Sequence, residues 1–435
     1  MSVEDTSGIW QDVDRAIDDA WDAELAFLRD LVRLPSTLGN ERQAQQRVQR
    51  ELTAMGLEPE AHDVDHTAIA ALPGYSPVDW VYEGRPNVAA RVAGRGPGGR
   101  SLVLNGHIDV VPATPERLWS VDPWGAEIVG DRMYGRGAAD MKSGIAAMIY
   151  ALAALRRAGV ELAGDVLLQT VIEEECTGNG TLAALAPLAA SLAGGERPAA
   201  AIIPEPFNQT LLTAQIGVLW SRITVLGAGA HALGADKAVN ANEKAAFLMQ
   251  GIRDMEAAAN DPGARHRAYQ DVAHPLNYNV GVVRGGDWPS SVPSECVLEV
   301  RFSAYPGADL DAAQTRFRED LRAYAARDPW LAEHPPEIAF YGFRAEGCVV
   351  DPATPLFDTL RAAHRTVMGG EPRPYVSTAT TDVRFFSHHH GIPATCYGPV
   401  GANLHAPDEW VDLVSVRNVT KVLARATLAW CGLAR

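Results

Sequence analysis

The order in which apolar runs and helices follow one another narrows what this chain can fold into more than any other feature. From Ser101, "SLVLN" is a short apolar run and "SGIAAMIYALAALRRAG" has helical length, stopped by Gly159; "DVLLQTVIE" and "AAAIIP" are again short and apolar. Apolar strands alternating with helices imply an α/β domain with a mixed, mostly parallel sheet covered by helices on both faces. After about Thr213 the rhythm changes. "GVLWSRITVLG" alternates like a strand with one wet face, "NYNVGVV" and "ECVLEVRFS" are further strands, and "AVNANEKAAFLMQGIRDM" and "DLDAAQTRFREDLRAYAARD" are helices. From about Pro336 the first rhythm returns, with a helix in "PLFDTLRAAHRTVM", a strand in "GIPATCYGP" and a last helix after Ser415. The expected organisation is one α/β domain made of residues 1–212 and 336–435, interrupted by an inserted α+β unit at 213–335.

Two amphipathic helices precede the alternation. Trp21, Leu25, Leu28 and Val32 share a stripe that ends before Pro35, and Ala44, Val48 and Leu52 share another that ends near Gly56. Next, "NVAARVAG" and "SLVLNG" flank the turn-rich "RGPGGR", which predicts a hairpin.

Charge and cysteine usage exclude several function classes. The formal net charge is -16 and no long basic run occurs, which argues against nucleic acid or an anionic membrane as partner. The five cysteines are scattered with no C-x-x-C, which argues against a disulfide framework. "MSVEDTSGIW" is acidic without an apolar core, and no stretch reaches eighteen apolar residues, so a soluble cytoplasmic protein is expected.

In open α/β sheets, function gathers where strands end. "SLVLNGHIDVVP" ends in His107 and Asp109, "VLLQTVIEEE" in Glu173, Glu174 and Glu175, and "AAAIIPEP" in Glu205. "DRMYGRGAADMKSG" sets Asp140 in a Gly-rich loop before a helix, and "GPVGANLHAPDEW" sets His405 in a loop after a strand. Each has a plain structural reading: a packing histidine, a helix N-cap at Asp140, a surface Glu205, a solvated triple glutamate. Those readings leave unexplained why histidine and acid recur at nearly every strand end. Two histidines and several carboxylates are what a pair of zinc-like divalent ions requires.

The motifs "NGHIDVVP", "YGRGAADMKSG", "EEECTGNGT", "IIPEP" and "GANLHAPDE" resemble, in order, those of the dinuclear zinc amidohydrolases and exopeptidases. That family includes acetylornithine deacetylase, succinyl-diaminopimelate desuccinylase, aminoacylase and glutamate carboxypeptidase. The resemblance runs over nearly the whole chain from about residue 20. It implies two divalent ions, zinc first, with cobalt or manganese as alternatives. One would be held by His107 and Glu205, the other by His405 and Glu175, with Asp140 bridging. Asp109 would orient the His107 imidazole through its second nitrogen. Glu174 would be the general base: a hydroxide bridging the ions attacks an amide carbonyl while Glu174 moves the proton to the leaving amine. The other register, with the base at Glu173 and the ligand at Glu174, stays open, because strand alternation sends 174 to the face opposite 173 and 175.

The same resemblance implies that the inserted unit is a ferredoxin-like dimerisation and lid domain of a homodimer. His231 would reach the partner subunit's site as oxyanion donor, and Arg301 would hold a substrate carboxylate. Ser291 stands where the family often has Asn, and Thr381 and Asp382 resemble a segment near the substrate. A homodimeric deacylase acting on a small amino-acid-like substrate is the leading reading. Alternatives are a metallo-carboxypeptidase or dipeptidase, a hydrolase or deaminase for an unusual small amide or aryl amine, and a binding protein on the same scaffold. Gly227, Gly229 and Ala232 also fit the dinucleotide pattern G-x-G-x-x-[G/A], which would require them to open a helix. His388, His389 and His390 are consecutive, so they cannot all face one metal and read as a polar helix end.

Overall fold

The computed structural model describes residues 3–191 and 197–434. Its central sheet has six strands, in spatial order Glu60–Asp63, Pro86–Val92, Val166–Val171, Leu102–His107, Ala201–Ile203 and Ala394–Cys396. Pro86–Val92 pairs antiparallel with both of its neighbours, and the remaining pairs are parallel. Leu102–His107 and Val166–Val171 are buried at every position, so both faces of the sheet are covered. The helix Ser143–Arg157 packs against Val3–Val32, Leu413–Cys431 and the sheet. The segment Ala138–Arg157 is long and apolar enough to cross a membrane, yet 94 % of it is buried inside the fold, as a core helix must be. All five cysteines are buried and free.

The expected hairpin does not form. Val166–Val171 lies between its two arms, pairing with Pro86–Val92 on one side and Leu102–His107 on the other. The glycines of "RGPGGR" serve close approach more than a tight turn. A Cβ at Gly99 would lie 2.0 Å from the Gly164 nitrogen, and one at Gly94, just before the loop, would lie 2.3 Å from the Ala163 carbonyl oxygen. The loop therefore lies on the segment that feeds the intervening strand.

A second sheet has the order Asn279–Gly285, Glu295–Ala304, Gly217–Leu226, Glu337–Ala345, antiparallel throughout. With helices Ala241–Ala259 and Leu310–Ala325, this is the split βαββαβ, ferredoxin-like arrangement. It has its own core, including Leu248, Phe302, Phe317 and Leu321. Its edge strand Glu337–Ala345 lies beyond residue 335, so the unit extends past the boundary read from the sequence.

Candidate metal centre

Parallel pairing brings the chemistry together. His107 is set opposite Val171, so the strand carrying His107 and the strand leading to the glutamates end side by side. Ala201–Ile203, on the other flank of Leu102–His107, leads to Glu205. His107 Nε2 lies 3.2 Å from Asp140 Oδ1, 3.8 Å from Glu205 Oε1 and 3.9 Å from Glu174 Oε2. His405 Nε2 lies 3.1 Å from Glu175 and 3.6 Å from Asp140 Oδ2. Asp140 thus offers one oxygen to each histidine. Donor atoms of His107, Asp140 and Glu175 all lie within 4.8 Å of one another.

The backbone explains how Glu174 and Glu175 reach one cavity. The strand ends at Val171, and Glu173 then adopts a left-handed φ of 67°, which breaks the alternation. The Glu173 carboxylate turns away, accepts from Trp80 Nε1 and the Tyr82 hydroxyl, each at 2.7 Å, and pairs with Arg85 at 2.6 Å. The cavity beside the cluster has about 350 Å³ and is lined by Glu174, Glu175 and His405 but not by Glu173. His405 itself sits at φ 60°, in a loop where Asn403 and Asp408 are also left-handed.

Buried like charges dominate the electrostatics. Burial pushes Glu174 and Glu205 well above the usual carboxylate range. Burial works against a charged His107, yet Asp140, Glu205, Glu174 and Asp109 hold its pKa well above 6.5. Glu175 pushes His405 up to about 11. Burial alone would raise Asp140, but its two histidine neighbours hold it below the usual range. Without another cation, the imidazoles keep protons to offset the carboxylates. Glu205 Oε1 is buried with no hydrogen-bond partner among the described residues. Two imidazoles, clustered carboxylates and an orphaned oxygen facing His107 fit divalent cations with mixed nitrogen and oxygen donors.

Some expected roles change. His107 Nδ1 meets the backbone carbonyl of Asp109 at 2.9 Å, while the Asp109 carboxylate is 3.7 Å away. That carboxylate instead accepts from the Glu174 and Glu175 backbone N–H groups at 3.2 and 3.1 Å, so Asp109 positions the two glutamates. Burial pushes it up to about 7. Asp382 is 1 % exposed and accepts from Thr181 at 2.6 Å. It does not line the cavity; Thr380 and Ala379 do. Ser291 is exposed and paired with His231 across a short strand contact, and neither lines the cavity of its own chain. Arg301 does line it, donates to Ser303 Oγ at 3.1 Å and makes no ion pair among the described residues.

Gly227 and Gly229 do not open a helix. The next α-helix starts at Ala241, and a Cβ at Gly227 would lie 2.3 Å from the Val239 carbonyl oxygen, so the dinucleotide reading fails. His389 bonds Glu346 at 3.1 Å, away from the cluster.

Two buried residues that fix the Asp140 loop escaped the sequence reading. Glu409, fully buried, accepts from the backbone N–H groups of Gly137, Ala139 and Asp140 at 2.9–3.1 Å and pairs with Arg136. It fixes the loop that presents Asp140. Lys142, also buried, donates to the carbonyls of Leu31 and Leu34 at 2.9 and 2.8 Å, tying the same loop to the end of the first helix. Both lie inside quoted motifs, but a glutamate or lysine in a motif carries no sign that it bonds backbone.

The family model described as Peptidase family M20/M25/M40 matches residues 103–429. A succinyl-diaminopimelate desuccinylase from Rhodospirillum centenum is 31% identical over 420 residues, covering 93% of this chain and 97% of that protein. An N-formyl-4-amino-5-aminomethyl-2-methylpyrimidine deformylase from Halalkalibacterium halodurans is 28% identical, covering 81% and 84%. Among solved structures, the dipeptidase Dug1p from Saccharomyces cerevisiae superposes with a TM-score of 0.79 at 15% identity, covering 97% of this chain and 98% of that one. The strand-end cluster and these likenesses agree: the chain belongs to Peptidase family M20/M25/M40 and is a metal-dependent hydrolase.

Proposed function

We propose that this enzyme is a deacylase that removes an N-acyl group from a small amino-acid-like substrate bearing a carboxylate. The observation that carries the reading is Glu174, a buried acid beside His107 at the wall of a cavity that also holds Arg301, an arginine with no ion pair among the described residues. His107 with Glu205 would hold one divalent ion and His405 with Glu175 a second, Asp140 lying between, with zinc preferred over cobalt or manganese. Bound there, the ions supply positive charge that acidifies water and stabilises a developing oxyanion. Glu174 takes a proton from the attacking water and returns it to the leaving amine, a role suited to a carboxylate that burial makes more basic. Asp109 keeps Glu174 and Glu175 aimed by accepting from both backbones. Arg301 meets the substrate carboxylate.

A homodimer formed through the inserted unit would let the exposed His231 serve the partner subunit's oxyanion, and we take the cytoplasm as the compartment. Deacylation is favoured over dipeptide cleavage because the relatives near 30% identity are named as a desuccinylase and a deformylase. Amine release from N-acetyl, N-formyl and N-succinyl amino acids, dipeptides and aryl amides, with metal-loaded protein and a chelated control, tests this. Chelator-sensitive release from the acyl amino acids is expected. Release from dipeptides alone, or none from protein shown to hold metal, would overturn it.

A further inference from the structure

One wall of the cavity goes beyond what hydrolysis alone requires. In the inserted sheet, Asn279 is set opposite Arg301, and Arg301 opposite Trp220. Directly opposed residues share a face, so an amide, a guanidinium and an indole form one row toward the cavity, which all three line. The next strand departs from the pattern. Phe340 pairs with Ser221 and Arg344 with Leu219, so Tyr341, Gly342 and Phe343 together oppose Trp220 in a bulge. Gly342 has a φ of 59°, and a Cβ there would lie 2.7 Å from the indole, so a larger residue would displace the ring. The Tyr341 and Phe343 ring centroids lie 5.8 and 5.3 Å from that of Trp220. The bulge is fastened to the other domain: Gly342 N–H donates to the Pro77 carbonyl at 2.9 Å and Arg344 N–H to the Ser76 hydroxyl at 3.1 Å. Tyr341 is further covered by Arg222, 4.4 Å from its centroid.

From this row we infer that the substrate is an N-acyl derivative of an aromatic α-amino acid carrying a single carboxylate. The inference rests on the deacylase reading and narrows its substrate. Cross-strand neighbours have Cβ atoms about 5 Å apart. Arg301 and Trp220 are such neighbours, so a carboxylate on the first and a ring against the second fit groups carried close together on one substrate, as in phenylalanine, tyrosine or tryptophan. Arg301 is the sole arginine or lysine lining the cavity among the described residues. Glu299, also at the wall, is engaged by Arg222 at 3.3 Å and Arg284 at 3.4 Å. A second carboxylate on the substrate would find no further arginine or lysine there among the described residues, whereas an aromatic ring gains three ring neighbours.

The test is calorimetric binding of N-acetyl-L-phenylalanine, N-acetylglycine and N-acetyl-L-glutamate to metal-loaded Glu174→Gln protein. The same titrations are repeated with Trp220→Leu and with Tyr341→Ala added, and amine release by the wild type is measured alongside. Burying a phenyl group predicts that the phenylalanine derivative binds at least about ten-fold tighter than the glycine one. That ratio should shrink toward one in either wall variant. Equal binding of all three, or a preference that survives both variants, would overturn the inference. Aromatic-selective binding without amine release from the wild type would leave the pocket standing and end the deacylase reading; amine release without aromatic preference would do the reverse.

Discussion

Glu174 and Glu24 are both carboxyls sealed inside this fold, and burial raises the pKa of each, Glu24 to about 8. Their surroundings differ. Glu24 lies between helices, 1 % exposed, accepting from the Thr420 hydroxyl at 2.6 Å, with its second oxygen unpartnered among the described residues. It lines none of the larger cavities described. Glu174 borders a cavity and faces an imidazole that three other carboxylates also surround. A displaced pKa therefore does not by itself mark a working group. Convergence of histidines and acids from separate strand ends on one reachable volume does.

The largest effect expected is at Asp140, which the two histidines share. Asp140→Asn should abolish turnover and weaken metal retention by at least about 10–100-fold, read as metal content after dialysis. Full metal content in that variant would break the contrast, because the cluster would then hold without its central acid. The smallest effect belongs to Glu24. Between its ordinary 4.5 and the folded value of about 8, the unfolded chain has lost the proton that the folded chain keeps. Stability conferred on the fold therefore falls as pH rises through that window and is level outside it. Glu24→Gln should remove up to one proton from that slope, seen as a smaller loss of Tm between about pH 5 and 8, with turnover unchanged. A parallel Tm profile in the two proteins would mean that Glu24 keeps an ordinary pKa in the fold, and lost turnover would mean that it is coupled to the site.

Much of this was legible in the sequence because it depends on order and period. The alternation of apolar runs and helices specified the sheet, and the residues following each run identified the cluster. Pairing was not legible. The hairpin failed because nothing local reveals that Val166–Val171 enters between two strands joined by a glycine-rich loop. Which of the three glutamates border the cavity turned on one left-handed residue, which a glutamate does not advertise. The partners of Asp109 and Glu409 are backbone groups, and the segment around Asp382 was recognised while its cavity residues, Ala379 and Thr380, were not. The aromatic wall exists only because a bulge collects three residues opposite Trp220.

The central claim is that Glu174 moves the proton while its neighbours hold the metal. The most direct measurement is amine release by Glu174→Gln alongside its metal content. The account predicts wild-type metal content with turnover reduced by at least about 100-fold. Turnover within a few-fold of wild type, with metal retained, would contradict it.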